Sequence, residues 1–325
     1  MKLSIIVPVY NVVNYLEKCL ASVFSQNFND YEIVLVDDGS TDGSGELCDK
    51  FSESNEKIKV IHQANQGLSA ARNNGIRHSQ GEYFILLDSD DWLLNDTAFE
   101  VISKKFDSDV VMFDMSEYRN NKRKDLKLTE GLKPSYMQGT LFLEDALRIN
   151  PHFRWYACIY AYRRQFWIDN NFEYPVGYKY EDLGTTYKVL LSAGKVSVIN
   201  ESLYAYRRLR NDSITSNVTL KSLSDKLELQ LKFLENFEKA NIPETLKKSA
   251  RLSASFVFYE LLIRTNSMSS LKERRTFLER LNSCKNLSRY AASYSKKYAV
   301  SYLVLKLFGV NTLGKIYGYR ELLKH

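Results

Sequence analysis

"EYFILLDSDDWL", residues 82–93, decides how the chain is read. The apolar and aromatic run from Tyr83 to Leu87 has the texture of a strand buried on both faces, and it stops at three acids, Asp88, Asp90 and Asp91. Crowded carboxylates repel one another, so such a strand end needs a cation or hydrogen-bond donors beside it. Two local readings are open. Asp90 and Asp91 could cap a helix beginning near Trp92, or the acids could be oxygen ligands for Mn²⁺ or Mg²⁺, hard ions that share substrate phosphates and need no His or Cys.

Working outward, "LSIIVPVY" reads as a first strand, and Leu16, Cys19, Leu20, Val23 and Phe24 follow at the spacing of one helix face. "YEIVLVDD" is a second strand, followed by a helix around Leu47–Phe51 and the strand "IKVIH". A helix through "SAARNNGIRHS" leads to the quoted strand, and a helix after Asn95 leads to "DVVMFDM". Strands alternating with helices at this pitch predict βαβ units and an α/β fold with a mostly parallel sheet. Ligands of such sheets bind beyond the carboxyl ends of the strands, which puts Asp37, Asp38 and the Asp88–Asp91 cluster on one rim.

From about Ser222 long helix-like patterns replace the alternation, so we expect a first domain over 1–217 and a helical C-terminal region over 218–325. With 325 residues and 44% hydrophobic composition, a large core and an appendage are both within reach. The four cysteines are scattered without a CxxC pair, which argues against a zinc site or a disulfide framework and suits a reducing cytosol. Pro8, Tyr10 and Asn11 interrupt the opening apolar run, so a secretion signal is not expected. No stretch reads as the eighteen or so apolar residues of a membrane span. Glycine motifs for a dinucleotide or a P-loop are missing as well.

The motifs "IIVPVYN", "VDDGSTDGS", "NQGLSAARNNGI", "GEYFILLDSDD" and "YEDL", in that order, resemble the family 2 nucleotide-sugar glycosyltransferases of the GT-A fold. The resemblance is strong over residues 1–100 and looser over 150–217. It implies a GT-A nucleotide-binding fold and an inverting, metal-dependent transfer of one sugar from a nucleotide sugar, UDP-linked by expectation. The acceptor would be a glycan or lipid-linked glycan of a bacterial surface polysaccharide. Position by position, it implies that Pro8 and Tyr10 lie along the base, that Asp38 accepts a hydrogen bond from it, and that Arg72 supports the nucleotide pocket. Asp88 would bind the ribose, and Asp90 would ligate a Mn²⁺ or Mg²⁺ ion on the diphosphate. In the "ED" pair, Asp182 would be the general base, with Glu181 supporting it. The "YRRLRNDSITSN" segment is similar to a basic loop in which Arg207, Arg210 and Ser213 close over the diphosphate. "RW" at Arg154 and Trp155 precedes the ED pair, the reverse of the order in processive synthases, which favours one sugar per encounter.

Residues 285–325 hold eight Lys and Arg against Glu321 alone, a net +7 in a chain of +6. Tyr290, Tyr294, Tyr298 and Tyr302 recur every fourth residue among them. This stripe reads either as an interfacial element on the anionic inner face of a membrane or as a stripe packed onto the catalytic domain. Two other classes remain to weigh: a glycoside hydrolase using paired carboxylates and a nucleic-acid binder using the basic tail. A hydrolase leaves the two acid-ended strands of a nucleotide site unexplained; both classes stay as alternatives to the leading reading, in which no nucleic acid is a partner.

Overall fold

The computed structural model describes residues 1–120, 122–208 and 218–322. In chain order the elements are β1 (Leu3–Val9), α1 (Val13–Phe24), β2 (Tyr31–Asp37), α2 (Ser44–Ser54), β3 (Ile58–His62), α3 (Leu68–His78), β4 (Tyr83–Leu86) and β5 (Trp92–Leu93). There follow α4 (Ala98–Ser103), β6 (Val110–Arg119), β7 (Lys122–Asp125), β8 (Ser135–Tyr136), α5 (Gly139–Ile149), β9 (Tyr160–Arg163), α6 (Arg164–Asp169), α7 (Glu181–Ser192) and β10 (Val196–Arg207). The last helices are α8 (Leu220–Lys239), α9 (Glu244–Arg264), α10 (Leu271–Ser283) and α11 (Lys296–Leu322).

One sheet runs β3-β2-β1-β4-β9-β6-β10-β5, with β7 paired to β6 and β8 to β10. β1 to β4, β6 and β10 share a direction, so the sheet is mostly parallel, and β9 is the antiparallel insertion between β4 and β6. Every residue of β1 and β2 is buried, as strands covered on both faces require. The parallel register aligns Val9 with Asp37 and Asp37 with His62, so the strands end level.

The chain divides into two compact units, residues 1–142 with 155–210 and residues 143–154 with 211–325. The second unit is built on Leu223, Leu227, Phe258, Leu262, Phe277, Leu281, Leu305 and Leu313. Its helix α8 opens with a capping box between Thr219 and Ser222, which typically stabilises a helix by about 1 kcal/mol.

Two readings change on contact with the structure. No helix begins at Trp92: Trp92 and Leu93 form β5, paired to Ala205 and Tyr204 of β10, and the next helix waits until Ala98. The tyrosine stripe is not one helical row, because Tyr290 and Tyr294 precede α11. Tyr298 is core packing, its ring 5.0 Å from Phe256 and 4.9 Å from Tyr259 of α9.

In the first unit α3 lies so close to β1 that a Cβ on Gly75 would sit 2.4 Å from Ile6 Cγ2. Gly75→Ala should therefore lower stability by about 1–3 kcal/mol through overpacking, read as a lower midpoint in urea unfolding; an unchanged midpoint would show that the contact relaxes freely.

Candidate active site

Of the predicted residues, Tyr10, Asp38, Asp88, Asp90 and Arg207 lie at strand ends, Arg72 lies on α3, and Glu181 and Asp182 open α7. Pro8 is buried inside β1, and Tyr10, just past the strand, is 48% exposed. Asn11 follows with φ 50°, a left-handed conformation that Asn tolerates better than most residues. Its backbone N–H donates to Ser40 Oγ at 3.2 Å, and its side-chain oxygen accepts from Thr41 N at 2.8 Å. The turn after β1 is thereby laced to the "DDGSTDGS" loop after β2.

Asp37 accepts from Ser40 N and from His62 Nδ1. Burial alone would raise its pKa, but the hydrogen bonds from Ser40 and His62 hold it below the usual carboxylate range. Asp38 accepts from Gln63 Nε2 at 2.7 Å, Gln66 N at 2.9 Å and Gly67 N at 2.8 Å. It fixes the loop that launches α3, and so sets the position of Arg72 one turn later.

Arg72 is almost wholly buried. Its Nη2 donates to Asp88 Oδ1 at 2.8 Å and its Nη1 to Glu181 Oε1 at 2.6 Å, and the guanidinium lies 5.5 Å from the Tyr174 ring. Burial disfavours the charge, but Asp88 and Glu181 more than offset it, and the group stays protonated. One cation thus joins the acid cluster after β4 to the ED pair opening α7. Asn73 secures the same neighbourhood by exchanging two hydrogen bonds with the Tyr174 backbone.

The three adjacent acids do different work. Asp88 meets Arg72. Asp91 is buried and accepts from Tyr204 Oη at 2.7 Å and from Arg207 N at 2.7 Å. Burial, and then the charges of Asp90 and Asp88, push its pKa well above the usual range. Asp90 lies between them, partly exposed, and its carbonyl accepts from Arg207 Nε at 2.7 Å. Tyr204 also accepts from the Asp88 backbone N–H at 3.2 Å, so one phenol grips both ends of the loop. For Tyr204 and the tethering role of Asp91 the only sequence signal is the alternation of "LYAY", which marks a strand and not a contact.

Arg207, expected in a basic loop, is the last residue of β10. Its guanidinium lies 5.0 Å from the Tyr15 ring and 4.9 Å from Trp92. Arg210 and Ser213 lie outside the described residues. Glu181 and Asp182 form the first turn of α7, where acids complement the helix dipole. Asp182 Oδ1 accepts from Leu183 N at 2.8 Å, and the residue before the pair, Tyr180, has φ 66°.

Among the described residues no three His, Cys, Asp or Glu side chains converge on a ready-made metal site. The donor set still fits Mn²⁺ or Mg²⁺ in a phosphate site, where one or two carboxylates suffice and substrate oxygens and water complete the shell. Such a shell would take Asp90, partly exposed just past the end of β4.

A mostly parallel open sheet with an acid-lined rim defines a GT-A-like enzyme fold. Residues 4–170 match the family model for glycosyl transferase family 2, and the chain belongs to that family: its domain is that of a glycosyltransferase. It is 34% identical over 289 residues to glycosyltransferase GlyA of Streptococcus pneumoniae, covering 86% of this chain and 40% of that protein's length. It is 31% identical over 242 residues to glycosyltransferase GlyG of the same species, covering 70% of this chain and 77% of GlyG. In structure it is similar to S. aureus TarS 1–349 in complex with UDP-GlcNAc, with a TM-score of 0.77 at 22% identity over 99% of this chain and 92% of the other.

Tyr204→Phe removes the donor to Asp91 and leaves a buried carboxylate oxygen unsatisfied. The expected cost is about 1–3 kcal/mol in urea unfolding; a neutral substitution would show that the loop does not lean on this phenol.

Proposed function

We propose that this chain is an inverting glycosyltransferase that moves one sugar from a UDP-linked donor to a hydroxyl of a glycan or lipid-linked glycan in surface-polysaccharide synthesis. The observation that carries the reading is the Arg72 bridge, which ties a nucleotide-side acid, Asp88, to the ED pair. The choice of UDP is supported by the TarS complex with UDP-GlcNAc. Divalent-metal use is supported by a more distant neighbour, the mannosyltransferase PcManGT of Pyrobaculum calidifontis in complex with GDP-Man and Mn²⁺, with a TM-score of 0.53.

In this reading Tyr10 and Pro8 line the base, Asp38 borders it, and Asp88 meets the ribose while Arg72 fixes its rotamer. Asp182 takes the proton from the acceptor hydroxyl as that oxygen attacks the anomeric carbon. The bond from that carbon to the diphosphate oxygen breaks on the opposite face, and the nucleoside diphosphate leaves. A single displacement inverts the centre, so an α-linked donor yields a β-linkage. A Mn²⁺ or Mg²⁺ ion held by Asp90 and the diphosphate would neutralise the leaving group. Arg210 and Ser213 remain the proposed partners of the diphosphate from the segment after β10, with Arg207 at its root.

The test is a panel of nucleotide sugars scored by thermal shift with Mn²⁺, Mg²⁺ or chelator, since a ligand of the native state raises the apparent melting temperature. Wild type should respond to a UDP-sugar with metal, and Asp90→Ala should lose the metal-dependent part. Asp182→Asn should keep donor binding while transfer falls by about 100-fold or more. Undiminished transfer in Asp182→Asn would remove it as the base, and silence toward every nucleotide would overturn the reading.

A further inference from the structure

α11 carries an apolar row that the second unit does not cover. Val300, Leu303 and Leu307 stand at i, i+3 and i+7, one helix face, and are 61%, 55% and 63% exposed; Phe308 beside them is 65% exposed. The opposite face is core, with Leu305, Val310, Leu313 and Tyr317 packed among Leu262, Phe277 and Leu281. Exposed Lys296 and Lys306 flank the row by helical spacing, Lys297 and Lys315 are exposed on the same element, and no Asp or Glu occurs in the sequence from Lys285 to Arg320.

Residues Lys296–Gly318 are long and apolar enough to cross a membrane by length and composition, which the sequence reading did not anticipate. Two features argue against crossing. Gly309 breaks the helix with φ 80°, and the face of Leu305, Val310, Leu313 and Tyr317 is already packed against protein. A helix with one face in a protein core and the other apolar and rimmed by lysine has the character of an interfacial element.

We infer that this face of α11, and not the tyrosine stripe, docks the chain on an anionic lipid surface. Leu303, Leu307 and Phe308 enter the headgroup boundary while the lysines meet lipid phosphates. A second copy of the chain is the poorer occupant, because a two-fold contact presents the same patch to itself and would set lysines against lysines. Docking concerns only the second unit, so it stands or falls separately from the transfer reading.

The test is co-sedimentation of the full chain with phosphatidylglycerol or phosphatidylcholine vesicles at low and high salt. Sedimentation velocity and melting temperature are followed alongside. Wild type should bind phosphatidylglycerol vesicles preferentially and lose binding with salt. Leu303→Ser/Leu307→Ser/Phe308→Ser should melt no lower than wild type and lose vesicle binding. Lys296→Gln/Lys306→Gln, which cannot disturb the core, should weaken partition to phosphatidylglycerol by about tenfold or more. Wild type that ignores both vesicles, or an apolar-row variant that binds as well as wild type, overturns the inference. So does a vesicle-indifferent dimer that the apolar-row variant turns into monomers, which would make the face a contact between copies.

Discussion

The rim of the first unit depends on one buried guanidinium. Arg72 touches carboxylates 16 and 109 residues away in sequence, and it can do so only because Asp38 fixes the start of α3 and Gly75 lets that helix lie against β1. Removing either acid partner would leave a buried positive charge short of compensation, and removing Arg72 would leave Asp88 and Glu181 facing each other. Breaking a buried pair in this way commonly costs about 3–5 kcal/mol, although the intact pair contributes far less in net stability. What the bridge supplies is geometry: the acids after β4 and the acids opening α7 keep a fixed spacing.

The same economy explains a strand that ends in three acids. Repulsion at such a site is tolerable only when each carboxylate has its own compensation. Asp88 has Arg72, and Asp91 has Tyr204 and the Arg207 amide. Asp90, like Asp88, stays partly exposed at the end of the strand. Arg207 reinforces the arrangement through the Asp90 carbonyl and the rings of Tyr15 and Trp92.

The parts written in local pattern were legible. β1 to β4, their helices and β6 follow from apolar periodicity, and the motif acids fall just past the ends of β2 and β4. The parts written in tertiary contact were not. β9 has four residues and is antiparallel to both neighbours, so it breaks the βαβ rhythm without a periodic signal of its own. β5 has two residues, and Asp before Trp92 looks equally like a helix cap. Tyr204 reaches Asp91 across 113 residues through one hydroxyl, which no window of sequence contains. The four-residue spacing of the tyrosines was real, but a short 3₁₀ segment at Lys285–Ala291 precedes α11, and the row that stays exposed is aliphatic.

The central claim is that Arg72 couples Asp88 to Glu181, and a double-mutant cycle measures it most directly. Urea unfolding of wild type, Arg72→Met, Glu181→Gln and the double variant gives the interaction energy. The bridge predicts that the two substitutions are strongly non-additive, with a coupling of about 1–3 kcal/mol. Additivity within about 0.5 kcal/mol would mean that the two groups act independently, and the account of the rim would fail with it.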